Sequence, residues 1–413
     1  MSSLKLYIVV IGLAFLSSCG GMYTIRDVNF AQSYNPQNKS NAIETSIWHT
    51  SDSTSVLNLR FEQSNLSVEA VNGFEISYDI YDLKEETKVQ SSDIDQTNIY
   101  INDSNLLKNN TISYPPIALH KLYNKEYLLK LTLNDLDRRN IADCYVPIHK
   151  LNAFSSQNYQ LKDDVGNTLF KNYIQNGEAF KIVCNNINIK LLYVKYYKPR
   201  NTIAPPLYTI VAPKAPKFVA DSSFTLKINN FESNYITLNN EGIYHFQADT
   251  TNTDGLTIYQ FYDGFPIVKT PIEMIYPLRY LSTKKEYEEI TQSVDYKTAV
   301  DKFWLEIAGN PDRAISLIKK YYTAVKDANR FFTSYVEGWR TDRGMIYTIY
   351  GPPTTVYRSS KTETWIYGES GILLSLKFIF DKIENPLTEN DYVLKRDPDM
   401  KATWFDAVSN WRR

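Results

Sequence analysis

One change of period divides this sequence. Up to about Pro277 the apolar residues come in short alternating runs, set between Asn, Ser, Asp and Pro. Beyond it they recur at helical spacing. Strands first and helices afterwards argue for an α+β chain of segregated parts. At roughly 150 residues per domain, 413 residues make about two to four domains. The expected architecture is an N-terminal β-sandwich-like region, then a helical segment packed on a small antiparallel β-meander.

The first β-rich region is placed at residues 28–151. Candidate strands are Ile43–Trp48, Val56–Phe61, Phe74–Tyr81, Thr111–Tyr114, Glu126–Leu133 and Ala142–Val146. Phe74, Ile76, Tyr78 and Ile80 alternate with Glu75, Ser77 and Asp79, the mark of a half-buried strand. Their spacing suits an immunoglobulin-sized sandwich. The polar, Asn-rich stretch Ser91–Asn110 reads as a long loop.

A second β-rich region is placed at 152–270. Its strands are expected at Phe180–Cys184, Ile187–Tyr197, Phe224–Ile228, Gly242–Gln247 and Thr257–Tyr262, with Asn185-Asn186 as a tight hairpin turn. Between Pro199 and Pro216, Pro205, Pro206 and Pro213 predict an extended linker or edge segment.

The third region, 271–413, begins with helix signals. Thr283 and Glu286 fit a capping box. Asp295 caps a second helix carrying Ala299, Phe303, Trp304 and Ile307, and Gly309 stops it. Asn310-Pro311 starts a long third helix predicted to end at Gly338 in the left-handed conformation. Strands are expected at Met345–Tyr350, Thr354–Arg358, Glu363–Tyr367 and Leu373–Phe380, with Gly351-Pro352-Pro353 as a turn.

The N-terminus carries an address. After Lys5, the run Leu6–Leu16 is too short to span a bilayer and fits the apolar core of a secretory signal peptide. It ends Leu16-Ser17-Ser18-Cys19, which resembles the lipobox of bacterial lipoproteins. That resemblance implies cleavage after residue 18, acylation of Cys19, a tether over 19–27, and membrane attachment through the lipid anchor. In Bacteroidota-type lipoproteins, surface export goes with acidic residues just after the Cys. None occurs here before Asp27, which favours a periplasm-facing protein on the outer membrane.

Gly338-Trp339-Arg340-Thr341-Asp342-Arg343-Gly344, with Gly351-Pro352-Pro353 downstream, resembles the signature of the GWxTD domain family. Phe303-Trp304, Tyr321-Tyr322, Ala328-Asn329-Arg330-Phe331 and Glu363-Thr364-Trp365-Ile366-Tyr367 resemble its other motifs. The family is known mainly from lipoproteins and secreted proteins of Bacteroidota, without an established enzymatic activity. The resemblance implies architecture and envelope context rather than a reaction. Gly338, Trp339, Thr341, Asp342, Arg343, Gly344, Gly351, Pro352 and Trp365 are therefore candidates either for a structural junction or for a partner site. In the physical reading of this stretch, Arg343 pairs with Asp342 or with a sheet carboxylate.

Chemistry is sparse elsewhere. Forty-five basic and 46 acidic residues leave a net charge of -1, with no electrostatic footprint for nucleic acid. No H-E-x-x-H, G-x-S-x-G, Walker A or G-x-G-x-x-G motif occurs. His49, His120, His149 and His245 are far apart in sequence, leaving only a triad assembled in space. No catalytic residue, metal or cofactor is assigned. Cys144 and Cys184 form either one disulfide or two buried thiols. Three functions compete: a non-catalytic subunit or adaptor of an outer-membrane secretion or assembly complex, a glycan- or peptide-binding envelope lipoprotein, and a hydrolase with an unrecognised site.

Overall fold

A computed structural model describes residues 28–36, 43–51, 54–62, 74–84, 87–88, 99–101, 107–108, 111–119, 125–135, 140–210, 216–369 and 375–413. Cys19, with the signal and tether assignments, lies outside these residues, as does His120.

The first region is a sandwich. Its strands among the described residues are β1 (Ile43–His49), β2 (Ser55–Glu62), β3 (Phe74–Asp82), β4 (Thr87–Lys88), β5 (Ile99–Ile101), β6 (Leu107–Lys108), β7 (Thr111–Leu119), β8 (Tyr127–Asp135) and β9 (Asn140–Ile148). One sheet runs β1-β2-β7-β6; the other runs β4-β3-β8-β9, with β5 also on β3. Ile47, Leu57, Leu59 and Leu119 of the first sheet share a core with Ile76, Ile80, Leu129, Leu131 and Ile148 of the second. The alternation of β3 thus puts Ile76, Tyr78 and Ile80 inside, as two facing sheets require. Two short strands, β5 and β6, fall in the stretch expected to be a loop. β7 continues past Tyr114 through Pro115-Pro116, because a bulge opposite Leu57–Leu59 absorbs the missing amide donors.

The second region forms one sheet from β10 (Tyr159–Asp163), β11 (Phe180–Cys184), β12 (Leu191–Tyr197), β13 (Ser222–Asn229), β14 (Glu232–Ser233), β15 (Gly242–Gln247) and β16 (Leu256–Gln260). The order is β10-β11-β14-β13-β12-β15-β16. Asn185-Asn186 is therefore not a hairpin turn: β11 pairs with β10 and β14, and β12 with β13 and β15. The strand expected from Ile187 starts only at Leu191; Asn186 instead accepts from the amide of Asn188 in a local turn. The Pro-rich stretch connects two neighbouring strands, β12 and β13, by a long excursion.

The third region holds α1 (Pro271–Ile275), α2 (Lys284–Thr291), α3 (Tyr296–Ala308), α4 (Pro311–Phe332), α5 (Asp342–Tyr350), the meander β17 (Thr355–Arg358), β18 (Thr362–Tyr367), β19 (Leu376–Lys382), β20 (Tyr392–Leu394), and α6 (Lys401–Arg412). The Thr283–Glu286 capping box, the Asp295 and Asn310 caps and the left-handed Gly309 form as the sequence predicts. Two expectations fail. Helix α4 ends at Phe332, where Thr333 turns to ψ 130° and Asn390 Nδ2 donates to the carbonyls of Phe331 and Thr333. Met345–Tyr350 is helical rather than a strand. Thr341 caps that helix, and its residues Asp342–Ile349 are all buried. A run buried on every side carries no period to separate helix from strand.

Two distant segments join this third region. A 3₁₀ turn, Phe30–Tyr34, puts Phe30, Ala31 and Tyr34 into its core. Tyr81 and Leu128, on the outer face of the sandwich, pack into the same core. Leu207 reaches it from the Pro-rich excursion. No helix among the described residues is long and apolar enough to cross a membrane.

Candidate functional site

The site is built around Glu363 on β18, which is 0% exposed. A buried carboxylate needs donors on both oxygens. Tyr34 Oη donates to them at 2.8 and 3.0 Å, Trp365 Nε1 at 2.6 Å, and Arg358 Nε at 2.9 Å. Arg343 adds a contact at 3.4 Å. Burial alone would raise the Glu363 pKa, but the guanidiniums of Arg358 and Arg343, with the Trp365 and Tyr34 donors, hold it below the ordinary range. The Tyr34 phenol is pushed up, first by burial. It thus stays protonated and donates.

The N-terminal segment is fastened further by its backbone. Tyr347 Oη donates to the Tyr34 carbonyl at 3.0 Å. Asn29 Oδ1 accepts from the Val356 amide at 2.9 Å and caps the 3₁₀ turn through Ala31. Asn29 Nδ2 donates to the Thr354 carbonyl. The segment thereby runs along β17.

Asp342 forms a second centre. It does not pair with Arg343, whose guanidinium goes to Glu363, to the Asn390 side chain and over the Tyr392 ring at 3.9 Å. Asp342 takes a bidentate pair from Arg396, at 2.5 and 3.1 Å, and the Leu394 amide at 2.8 Å. Burial raises its pKa, with Arg396 working against that. Arg396 also donates to the Pro205 carbonyl at 3.1 Å. The Arg340 carbonyl accepts from the Ala204 amide at 2.8 Å, and the Asp397 amide donates to the Leu207 carbonyl at 3.1 Å. These bonds tie down the Pro-rich excursion.

The remaining signature residues set close packing. Gly338 is not in a left-handed conformation; it serves close approach instead. A Cβ there would lie 2.0 Å from the Ala328 carbonyl oxygen on α4. A Cβ on Gly344 would lie 1.8 Å from the Gly338 carbonyl oxygen. Thr341 Oγ1 donates to that same carbonyl at 2.7 Å and accepts from the Gly344 amide. Trp339 is 2% exposed, its amide held by Asn329 Oδ1 and its carbonyl by Tyr280 Oη. Trp365 sits among Tyr34, Phe332 and Phe380. Gly351 turns the chain at φ 80° after α5, its carbonyl accepting from Tyr367 Oη, and Pro352 beside it is exposed. With donors on both Glu363 and Asp342, the arrangement is suited to fastening three stretches of chain together.

The structure brings His49 against His149, a pair distant in sequence. His49 Nδ1 lies 2.7 Å from Ser55 Oγ, and His149 Nε2 lies 3.4 Å from Glu389. Ser55 is 0% exposed, and a second histidine rather than a carboxylate stands behind His49, so the parts of a triad are not in order. Burial first, then His149, lowers the His49 pKa to about 4. His245 is also lowered to about 4 by burial, with both ring nitrogens bonded to Thr257 and Thr253. Cys144 and Cys184 are free thiols, packed with the sandwich core and the second sheet's core respectively, so the disulfide alternative fails. Burial pushes both up to about 12, far from the reactive thiolate.

Tyr34 and Arg396 complete the two centres without any local mark in sequence. Glu363 and Asn329 stand inside stretches quoted for the family resemblance.

No curated protein matches this chain. Among solved structures, a β-glucuronidase of Parabacteroides merdae is 10% identical over 30% of this chain, with a TM-score of 0.19. A Salmonella α2-macroglobulin is 11% identical over 55%, with a TM-score of 0.21. The chain spans only 14% and 17% of those two proteins. The C-terminal domain of the Streptococcus pyogenes antigen I/II-family protein AspA is 9% identical, covering 53% of this chain and 93% of that domain, with a TM-score of 0.16. Such scores carry no argument about this chain. The family comparison does: residues 242–413, from β15 through α6 and including Asp342 and Glu363, match the GWxTD domain, so this chain carries a GWxTD domain.

Proposed function

We propose that this protein is a lipid-anchored outer-membrane protein, facing the periplasm, that acts as a non-catalytic subunit or adaptor of an envelope secretion or assembly complex. The observation that carries this reading is the use made of the signature. Asp342, Arg343 and Glu363 are spent on fastening the chain to itself. What the protein offers a partner is then a rigid set of β surfaces rather than a reacting group.

The seating of the N-terminal segment supports the anchored part of the reading. Cys19 and Val28 are nine positions apart, a reach of about 30 Å when fully extended. An acyl chain on Cys19 would keep the GWxTD domain close to the bilayer, where a docking subunit is wanted.

The test is an affinity pull-down of the full chain, tagged at its C-terminus, from gently solubilised envelopes, beside Cys19→Ser. A stoichiometric set of outer-membrane proteins that is lost with Cys19→Ser is expected. Recovery of the protein alone, from wild type and variant equally, would reject the adaptor role.

A further inference from the structure

A cleft of about 440 Å³ lies where the sandwich meets the second sheet. That volume is in the range of small-molecule sites, which favour such junctions. Trp48 of β1 lines it, and the turn between β13 and β14 brings Phe231 to it.

That turn is unusual. Asn229 pairs with Glu232, so Asn230 and Phe231 form a two-residue hairpin turn. Both have positive φ, 48° and 72°. This is the turn whose second position calls for glycine, because a side chain there is strained. Here the position holds a phenylalanine, and the ring is 40% exposed, so core burial does not offset the strain. Strain kept at an exposed aromatic points to a task for the ring. Trp48 lines the same cleft, and its buried Nε1–H has no acceptor among the described residues, so no hydrogen bond fixes the indole.

The polar lining narrows the ligand. Lys162 makes no ion pair among the described residues, and Asn230 makes no side-chain hydrogen bond among them. Glu232 is already neutralised by Lys181 at 2.5 Å. A phosphate-bearing ligand would call for clustered cations, and an apolar peptide for an apolar groove. Two aromatic rings with scattered amide, ammonium and carboxylate groups suit a ligand with apolar C–H faces and many hydroxyls. We infer that this cleft is a binding site for a neutral sugar, one or two rings in size, held between Trp48 and Phe231. The inference is independent of the adaptor reading, since it uses no residue of the GWxTD domain.

The experiment is saturation-transfer NMR on the full chain with four probes: maltose, cellobiose, lactose and chitobiose. At least one is expected to receive saturation, and Trp48→Ala is expected to remove it. Phe231→Gly separates binding from folding. Glycine relieves the turn, so the melting temperature should hold or rise while the affinity falls at least tenfold. Silence from all four sugars would overturn the proposal. So would binding that survives Phe231→Gly, or a Phe231→Gly protein that melts markedly lower, which would make the ring a packing residue.

Discussion

The sandwich and the GWxTD domain are stabilised by different means. The sandwich core is aliphatic with a few rings, such as Ile47, Leu57, Ile80, Leu129 and Ile148, and its strands alternate. Each residue does the same thing as its neighbour two positions on, and the pattern carries the fold. The GWxTD core also holds apolar side chains, but at its heart lie two buried carboxylates with their guanidiniums. There individual atoms matter, because an unpartnered charge in that setting has no water to fall back on. A core of the first kind tolerates exchange; one of the second kind ties distant stretches of chain into one arrangement.

Substitutions can break or sharpen that contrast. Glu363→Gln keeps the shape but leaves Arg343 and Arg358 without their counter-charge. It should cost about 3–5 kcal/mol by denaturant unfolding; a cost under about 1 kcal/mol would erase the distinction. Trp339→Ala should also cost about 3–5 kcal/mol, since the indole is buried. A far smaller cost would mean that the indole is not packed into the core around it.

The next effect is in pH. His49 is held neutral, with a pKa near 4 against 6.5 for the free side chain. Between those values the unfolded chain takes up a proton and the folded chain does not. Stability should therefore fall as pH drops from about 6.5 towards 4, by up to ~3 kcal/mol, and flatten below that. His245 adds a loss of the same sign over the same window. His49→Gln should make the profile shallower; an unchanged slope would mean that His49 is solvated in the folded protein. Smaller again, Tyr34→Phe removes the phenol that donates to Glu363 and should cost about 1.5–3 kcal/mol. Limited proteolysis should then cut near Phe30–Tyr34 sooner than in the wild type. Least of all, Ile47→Val in the sandwich should cost about 0.5–1.5 kcal/mol, the aliphatic benchmark for the others.

Much of the sandwich was legible because one exposed face and one buried face leave a two-residue period, as Ile76, Tyr78 and Ile80 do. Helix caps were legible because they are local chemistry: Thr283, Asp295 and Asn310 act on amides three residues away. The same locality explains the failures. Met345–Ile349 is buried all round, so its apolar run reads equally well as strand. Asn185-Asn186 has good turn residues, yet strand order is set by partners far along the chain. For the site, the signature marked Asp342 and Arg343, while their partners Arg396 and Tyr34 sit in unremarkable surroundings. Which cation meets which carboxylate is decided by the packed fold and leaves no trace in spacing.

The seating of Tyr34 on Glu363 spans 329 residues of chain, and this fixes an order of events during synthesis. The 3₁₀ turn at Phe30–Tyr34 emerges early, but its socket is made by α5, β17 and β18, which come late. Until then Phe30 and Tyr34 have nowhere to be buried. A chain interrupted before β18 can complete its sandwich yet still shows two unhoused aromatic rings near its beginning, the kind of exposed surface that quality control and proteases recognise. The clasp of Tyr34 on Glu363 thus cannot close before β18 has been made.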